Sequence, residues 1–152
     1  MVLEIISTAP EQTEALGLQL GQVLTVGHIL CLSGDLGTGK TTLTKSVAKS
    51  LGVNEYVTSP SYTIVNEYEG KLPVYHFDVY RINEIEELYE IGYEEYFFGQ
   101  GVTIIEWASM IMELIPEEAV KIEIERIDEM GRKFVISAPE AFIQRLKEVM
   151  AC

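Results

Sequence analysis

Residues 34–42 read GDLGTGKTT. Gly34, Gly39, Lys40 and Thr41 fit the pattern G-x-x-x-x-G-K-[ST], which arises by chance in a chain of this length with odds of roughly one in 200. The flanks sharpen the match. HILCL (28–32) is an apolar run of strand type, and in LTKSVAKSLG (43–52) Leu43, Val47 and Leu51 recur every four residues, with Gly52 where a helix C-cap glycine belongs. A strand, a glycine loop and a helix in this order let backbone N–H groups and a helix N-terminus converge on phosphate oxygens. Glycines at 34, 37 and 39 permit close backbone approach, Lys40 reaches the β and γ phosphates, and the Thr41 hydroxyl completes a magnesium shell. Gly37, Thr38, Gly39, Lys40, Thr41 and Thr42 are therefore the expected phosphate cradle. A guanine-reading N-K-x-D is absent, which weighs against a regulatory GTPase.

Working outward, Leu3–Ile6 is a short strand, and Thr8 with Glu11 forms a capping box that opens an amphipathic helix through Leu16 and Leu20. TIVNEY (63–68) and LPVYHFD (72–78) flank Glu69-Gly70-Lys71 as a hairpin or close antiparallel pair. Asn83 with Glu86 caps the next helix. VTIIE (102–106) reads as a central parallel strand presenting an acid at its C-terminal edge. VKIEIERI (120–127) alternates, with apolar residues on even positions, and DEMG turns it into RKFVIS; Asp128 to Gly131 is a hairpin turn. An amphipathic helix over 140–150 closes the chain. The expected architecture is α/β: a P-loop NTPase fold in one domain over 1–152, a mixed, mostly parallel sheet with helices on both faces and a late antiparallel hairpin.

Composition narrows the function classes. Hydrophobic residues make up 47% and charged residues 23% of 152, as in a soluble globular domain. No apolar run approaches the roughly 18 residues that span a bilayer, and MVLEII lacks a basic leader region, so a cytoplasmic protein without membrane contact is expected. Cys31 and Cys152 suit neither a disulfide nor a metal pair. The net charge is −13, and residues 84–125 carry twelve glutamates opposed by Lys121 alone. Such a surface repels nucleic acid, and it is either a solvated face or a docking surface for a basic partner.

Phosphoryl chemistry also needs a carboxylate near the metal and a group that orders the attacking water. Glu106, ending VTIIE, is the candidate of Walker B type, holding magnesium directly or through water. Asp78, ending VYHFD, is the second candidate. Both also admit the plain reading of a strand-end acid. His76 is read as a core or hydrogen-bonded residue, and Trp107 as packing against the site.

GDLGTGKTT, SPSYTIVNEY (59–68), HFDVYRI (76–82) and IIEWA (104–108), in this order and spacing, are similar to the TsaE (formerly YjeE) family, bacterial P-loop ATPases of tRNA threonylcarbamoyladenosine biosynthesis. The likeness covers nearly the whole chain. The glycine loop alone belongs to a vast superfamily; the other three blocks together are specific to this one. Ser61 stands where the family more often has threonine. The resemblance implies ATP on the glycine loop, magnesium on Thr41 and Glu106, and catalytic roles for Asp78, Glu106 and Lys40. It further implies a switch-like SPSYT loop near the γ phosphate, with Arg132 (after Gly131) and Glu11 beside the adenine end. The implied activity is slow ATP hydrolysis that resets an assembly with the TsaB and TsaD proteins, tRNA being bound only indirectly through that complex.

Two alternatives stand beside this reading. A non-catalytic ATP-binding switch would keep the loop and dispense with Asp78. A small P-loop kinase would need several arginines around the transferred phosphate, whereas this chain has Arg81, Arg126, Arg132 and Arg145 in all.

Overall fold

A computed structural model describes residues 1–35, 38–58, 60, 64–80 and 82–152. Its strands are β1 (Val2–Ser7), β2 (Ile29–Ser33), β3 (Val65–Tyr68), β4 (Val74–Asp78), β5 (Val102–Glu106), β6 (Val120–Arg126) and β7 (Arg132–Ser137). The helices are α1 (Pro10–Val23), α2 (Lys40–Ser50), α3 (Glu86–Glu90), α4 (Tyr93–Phe97) and α5 (Glu140–Ala151), with a 3-10 segment over Ala108–Leu114. The strands form one sheet in the order β1-β7-β6-β2-β5-β4-β3. β6, β2, β5 and β4 are parallel neighbours, while β3 and β7 run against them and β1 runs against β7. This is the expected mixed α/β sheet, with parallel strands at its centre and the late hairpin β6–β7.

Alternation along the strands sends side chains to two cores. Leu30 and Leu32 of β2, Val102 and Ile104 of β5, and Val120, Ile122 and Ile124 of β6 pack beneath Leu16 and Leu20 of α1, Leu43 and Val47 of α2, and Phe142 and Leu146 of α5. On the opposite face Ile29, Cys31, Phe77 and Ile105 meet Leu88 of α3, Tyr93 and Phe97 of α4, and Ile111. β2 and β5, buried on both faces, are accordingly continuous apolar runs. β6, with one wet face, alternates as its sequence does. The buried Cys31 thiol has its pKa pushed up to about 12, burial outweighing the Lys121 charge, so it is an inert core group.

Both helix-cap expectations require correction. α1 starts at Pro10 with Ala9 as N-cap and no side-chain cap; Pro takes a first-turn position that needs no N–H donor. Thr8 turns instead to Gln12, whose Oε1 accepts from the Thr8 N–H at 2.7 Å, so Glu11 makes no capping box. At α3 the N-cap is Ile85, and Glu87, not Glu86, reaches back to accept from the N–H groups of Asn83 and Glu84. The other end signals hold. Gly52 has φ +88 after α2, and the Asp128 carboxylate accepts from the N–H groups of Met130 and Gly131 in the β6–β7 turn. Among the described residues no helix is long and apolar enough to cross a membrane.

Candidate functional site

The site lies at the C-terminal edge of the parallel strands, where β2 runs into the glycine loop and α2. Gly39, at φ +103, is the N-cap of α2, and among the described residues no side chain caps this helix or places an acid in its first turn. Its first N–H groups lack intrahelical acceptors, and the dipole adds positive potential there. Lys40 folds back along the loop: Nζ donates to the carbonyls of Gly34 and Asp35, both at 2.7 Å, and lies 4.0 Å from the Trp107 ring centroid. Burial lowers the Lys40 pKa from its ordinary value, against the pull of Glu106, Asp35, Asp78 and Glu123. Thr38 Oγ1 donates to the Asp35 carbonyl at 2.8 Å. Arg132 at the start of β7 braces the loop from the hairpin, its Nε donating to the Thr38 carbonyl at 3.1 Å.

Glu106 ends β5 buried, at 2% exposure. Thr41 Oγ1 donates to its Oε1 at 3.1 Å. His76 Nε2 lies 2.5 Å from its Oε2. Thr44 gives its proton to the Lys40 carbonyl at 2.9 Å, with Glu106 Oε2 3.5 Å away. The carboxylate is thus fixed between α2 and β4. Asp78 is the register partner of Glu106 on the adjacent strand and accepts from the Tyr80 N–H at 3.1 Å. Burial raises the Asp78 pKa above the ordinary value; the Tyr80 hydrogen bond opposes this, Glu106 adds to it, and His76 and Lys40 oppose it. Trp107 takes left-handed backbone angles, φ 64, and its ring packs on Tyr80 with centroids 4.6 Å apart.

Lys40, Thr38, Gly39, Thr41, Glu106 and Asp78 therefore converge. Thr42 follows in the first turn of α2, where its carbonyl accepts from Ser46. Glu11 is exposed in the first turn of α1, just after Ser7, the register partner of Arg132, so it stands at the same end of the sheet. Gly37, and Ser59, Ser61, Tyr62 and Thr63 of the SPSYT segment, lie outside the described residues. Sequence reasoning left the partner of His76 unidentified. The signal was available in VYHFD, whose alternation puts His76 and Asp78 on one face.

A family model described as "Threonylcarbamoyl adenosine biosynthesis protein TsaE" matches residues 7–134, which hold every residue of this site. The chain belongs to the TsaE family. A TsaE relative from Bacillus subtilis, described as a tRNA threonylcarbamoyladenosine biosynthesis protein, is 44% identical over 130 residues, covering 85% of this chain and 81% of its own. The TsaE of Treponema pallidum is 33% identical over 135 residues, covering 89% of this chain and 100% of its own. The crystal structure of Bacillus subtilis YdiB superposes with a TM-score of 0.80 at 36% identity, covering 99% of this chain and 95% of that one. The superposition agrees with the mixed α/β fold described above.

Proposed function

We propose that the protein is a magnesium-dependent ATPase of tRNA threonylcarbamoyladenosine biosynthesis, working in the cytoplasm with TsaB and TsaD proteins and resetting their assembly between rounds. The observation that carries this reading is the 3.1 Å contact between Thr41 Oγ1 and Glu106 Oε1. It joins the first turn of the glycine-loop helix to the end of β5, the two oxygen donors this chemistry asks of a metal site.

The donor set fits Mg2+. Among the described residues no group of three or more His, Cys, Asp or Glu could hold a metal. One hydroxyl and one carboxylate suit an ion that completes its octahedron from phosphate oxygens and water. Held by Thr41 and Glu106, such an ion would supply neutralisation of charge in the transition state. The chain's own residues do the rest. The α2 N-terminus and Lys40 hold and orient the phosphates. Thr41 donates a hydrogen bond to Glu106, and its oxygen would serve the metal as a lone-pair donor. Asp78, beside Glu106 but half-exposed, is the group placed to orient water. Asp78 also accepts from the Tyr80 N–H, and it is its place beside Glu106 in register that favours hydrolysis over a switch that only binds ATP.

The charge of −13 argues that tRNA is held by the partners rather than by this chain. The test is phosphate release by the protein alone and with TsaB and TsaD, beside partner pull-downs with ATP, with ADP and without nucleotide, and a tRNA gel-shift. Magnesium-dependent release stimulated by partners, with ATP-dependent capture, is expected. No release under any condition, or tight tRNA binding by the lone protein, would overturn the proposal.

A further inference from the structure

The tie between His76 and Glu106 is not used by the chemistry above. His76 is fully buried, at 0% exposure, on β4, with Asn66 of β3 and Ile104 of β5 as its register neighbours. It touches the site through one atom. Nε2 lies 2.5 Å from Glu106 Oε2, while Nδ1 has no hydrogen-bond partner among the described residues. A carboxylate only accepts, so Nε2 carries the proton in this contact. The same carboxylate receives the Thr41 proton on its other oxygen. His76 and Thr41 therefore hold opposite ends of one planar group, from β4 and from α2.

Resting on the ATPase reading, we propose that His76 is a positioning residue for magnesium, which it never contacts. Its Nε2–H pins Oε2 to β4, so that Oε1 stays turned toward Thr41 and the mouth of the glycine loop. Without that donor the carboxylate rotates toward α2, where the Thr44 hydroxyl is 3.5 Å from Oε2. Two threonines then compete for a group that should present one oxygen outward. The Lys40 contacts to the Gly34 and Asp35 carbonyls do not involve His76. Binding of the triphosphate without metal should consequently survive, while the gain from metal should not. This separates a positioning role from a purely structural buried pair, whose loss would lower stability without selecting for magnesium.

The experiment compares two amides one methylene apart. In His76→Gln the amide nitrogen reaches about as far as Nε2 and keeps the donor; in His76→Asn it falls short. A fluorescent ATP is titrated against each in EDTA and in Mg2+, and the ratio of the two affinities is read; bound Mn2+ is counted by EPR in the presence of a non-hydrolysable ATP. We expect His76→Asn to bind within about twofold of wild type in EDTA and to lose at least tenfold of the Mg2+ ratio, with the ratio restored in His76→Gln. If His76→Asn does not fold, His76→Gln carries the test against His76→Leu. A Mg2+ ratio in the donor-lacking variant within twofold of wild type overturns the proposal. So does a His76→Gln protein as impaired as that variant. Wild-type protein whose affinity is indifferent to Mg2+ would instead defeat the ATPase reading itself.

Discussion

The glycine loop allows one substitution to be worked at two positions with different physical causes. Gly34 has φ +150, and a Cβ built there would lie 2.5 Å from the Ile124 carbonyl oxygen and 3.0 Å from Thr38 Oγ1. Ile124 O is backbone of β6 in the interior of the sheet and cannot swing aside. Relieving the contact needs a shift of at least about 0.5 Å, the gap to the 3.0 Å that real Cβ atoms respect. Gly39 has φ +103, and a Cβ there meets nothing within 4 Å. Gly39→Ala therefore adds only backbone strain, about 1–2 kcal/mol. Gly34→Ala adds similar strain plus overpacking of about 1–3 kcal/mol, some 3 kcal/mol in all. At about 2–4 °C per kcal/mol for a chain of this size, Tm should fall by roughly 6–12 °C in Gly34→Ala and roughly 2–8 °C in Gly39→Ala. Thermal unfolding by circular dichroism gives the order, and fluorescent-ATP titration should show Gly34→Ala weakened further, because its carbonyl anchors Lys40 at 2.7 Å. If Gly39→Ala is the less stable of the two, or Gly34→Ala is neutral, the packing of the loop against β6 is not as described.

Three further outcomes are expected. Asp78→Ala should bind ATP within a few fold of wild type yet hydrolyse it at least about tenfold more slowly, a barrier rise of about 1.4 kcal/mol, since among the described residues Asp78 makes no hydrogen bond to the loop and its side chain serves only the Tyr80 N–H; single-turnover phosphate release checks it. Lys40→Ala should weaken ATP binding at least about tenfold and shift the emission of Trp107, the single tryptophan, whose ring centroid is 4.0 Å from Nζ; unchanged affinity by titration would remove Lys40 from phosphate binding. His28 has its pKa lowered by burial and then by Arg145, and its neutral Nδ1 accepts from the Thr25 N–H at 2.8 Å. The unfolded chain thus binds the proton more readily, and stability should fall as pH drops below about 6.5 and be flat above it. The stability of wild type relative to His28→Gln, measured by urea unfolding from pH 7.5 to 5.5, should shrink toward acid.

Why some of this was legible in the sequence and some not follows from the range of each interaction. GDLGTGKTT, VTIIE and the two hairpins are local patterns, and each reports a local constraint: a glycine loop leading into a helix, burial on both faces, a tight turn. They locate Lys40, Thr41, Glu106 and Asp78 at strand and helix ends without any knowledge of strand order. The caps failed on a competition between near neighbours. Pro10 shifted the start of α1, and Gln12 and Glu87 had the reach that Glu11 and Glu86 lacked. What could not be read at all was register between strands distant in sequence. β1 pairs with β7 across nearly the whole chain, Val2 opposite Ser137, and nothing in VLEIIS names that partner.

The same lack of register hid the central feature of the site. VYHFD and VTIIE each show an acid at the end, but only the alignment of Asp78 with Glu106 brings the side chain of His76 against the Glu106 carboxylate. Alternation places His76 on the α2 side of β4, and the parallel pairing of β4 with β5 then sets which carboxylate it meets. A slip of two residues would keep every apolar face buried and yet part His76 from Glu106. In the proposed site the orientation of the Glu106 carboxylate therefore depends on a register held by backbone hydrogen bonds along β4 and β5, while the loop proposed to take the phosphates depends on its glycines, its packing against β6 and the Arg132 brace. The two can fail separately, which is why affinity measured with and without magnesium resolves this site better than any single rate.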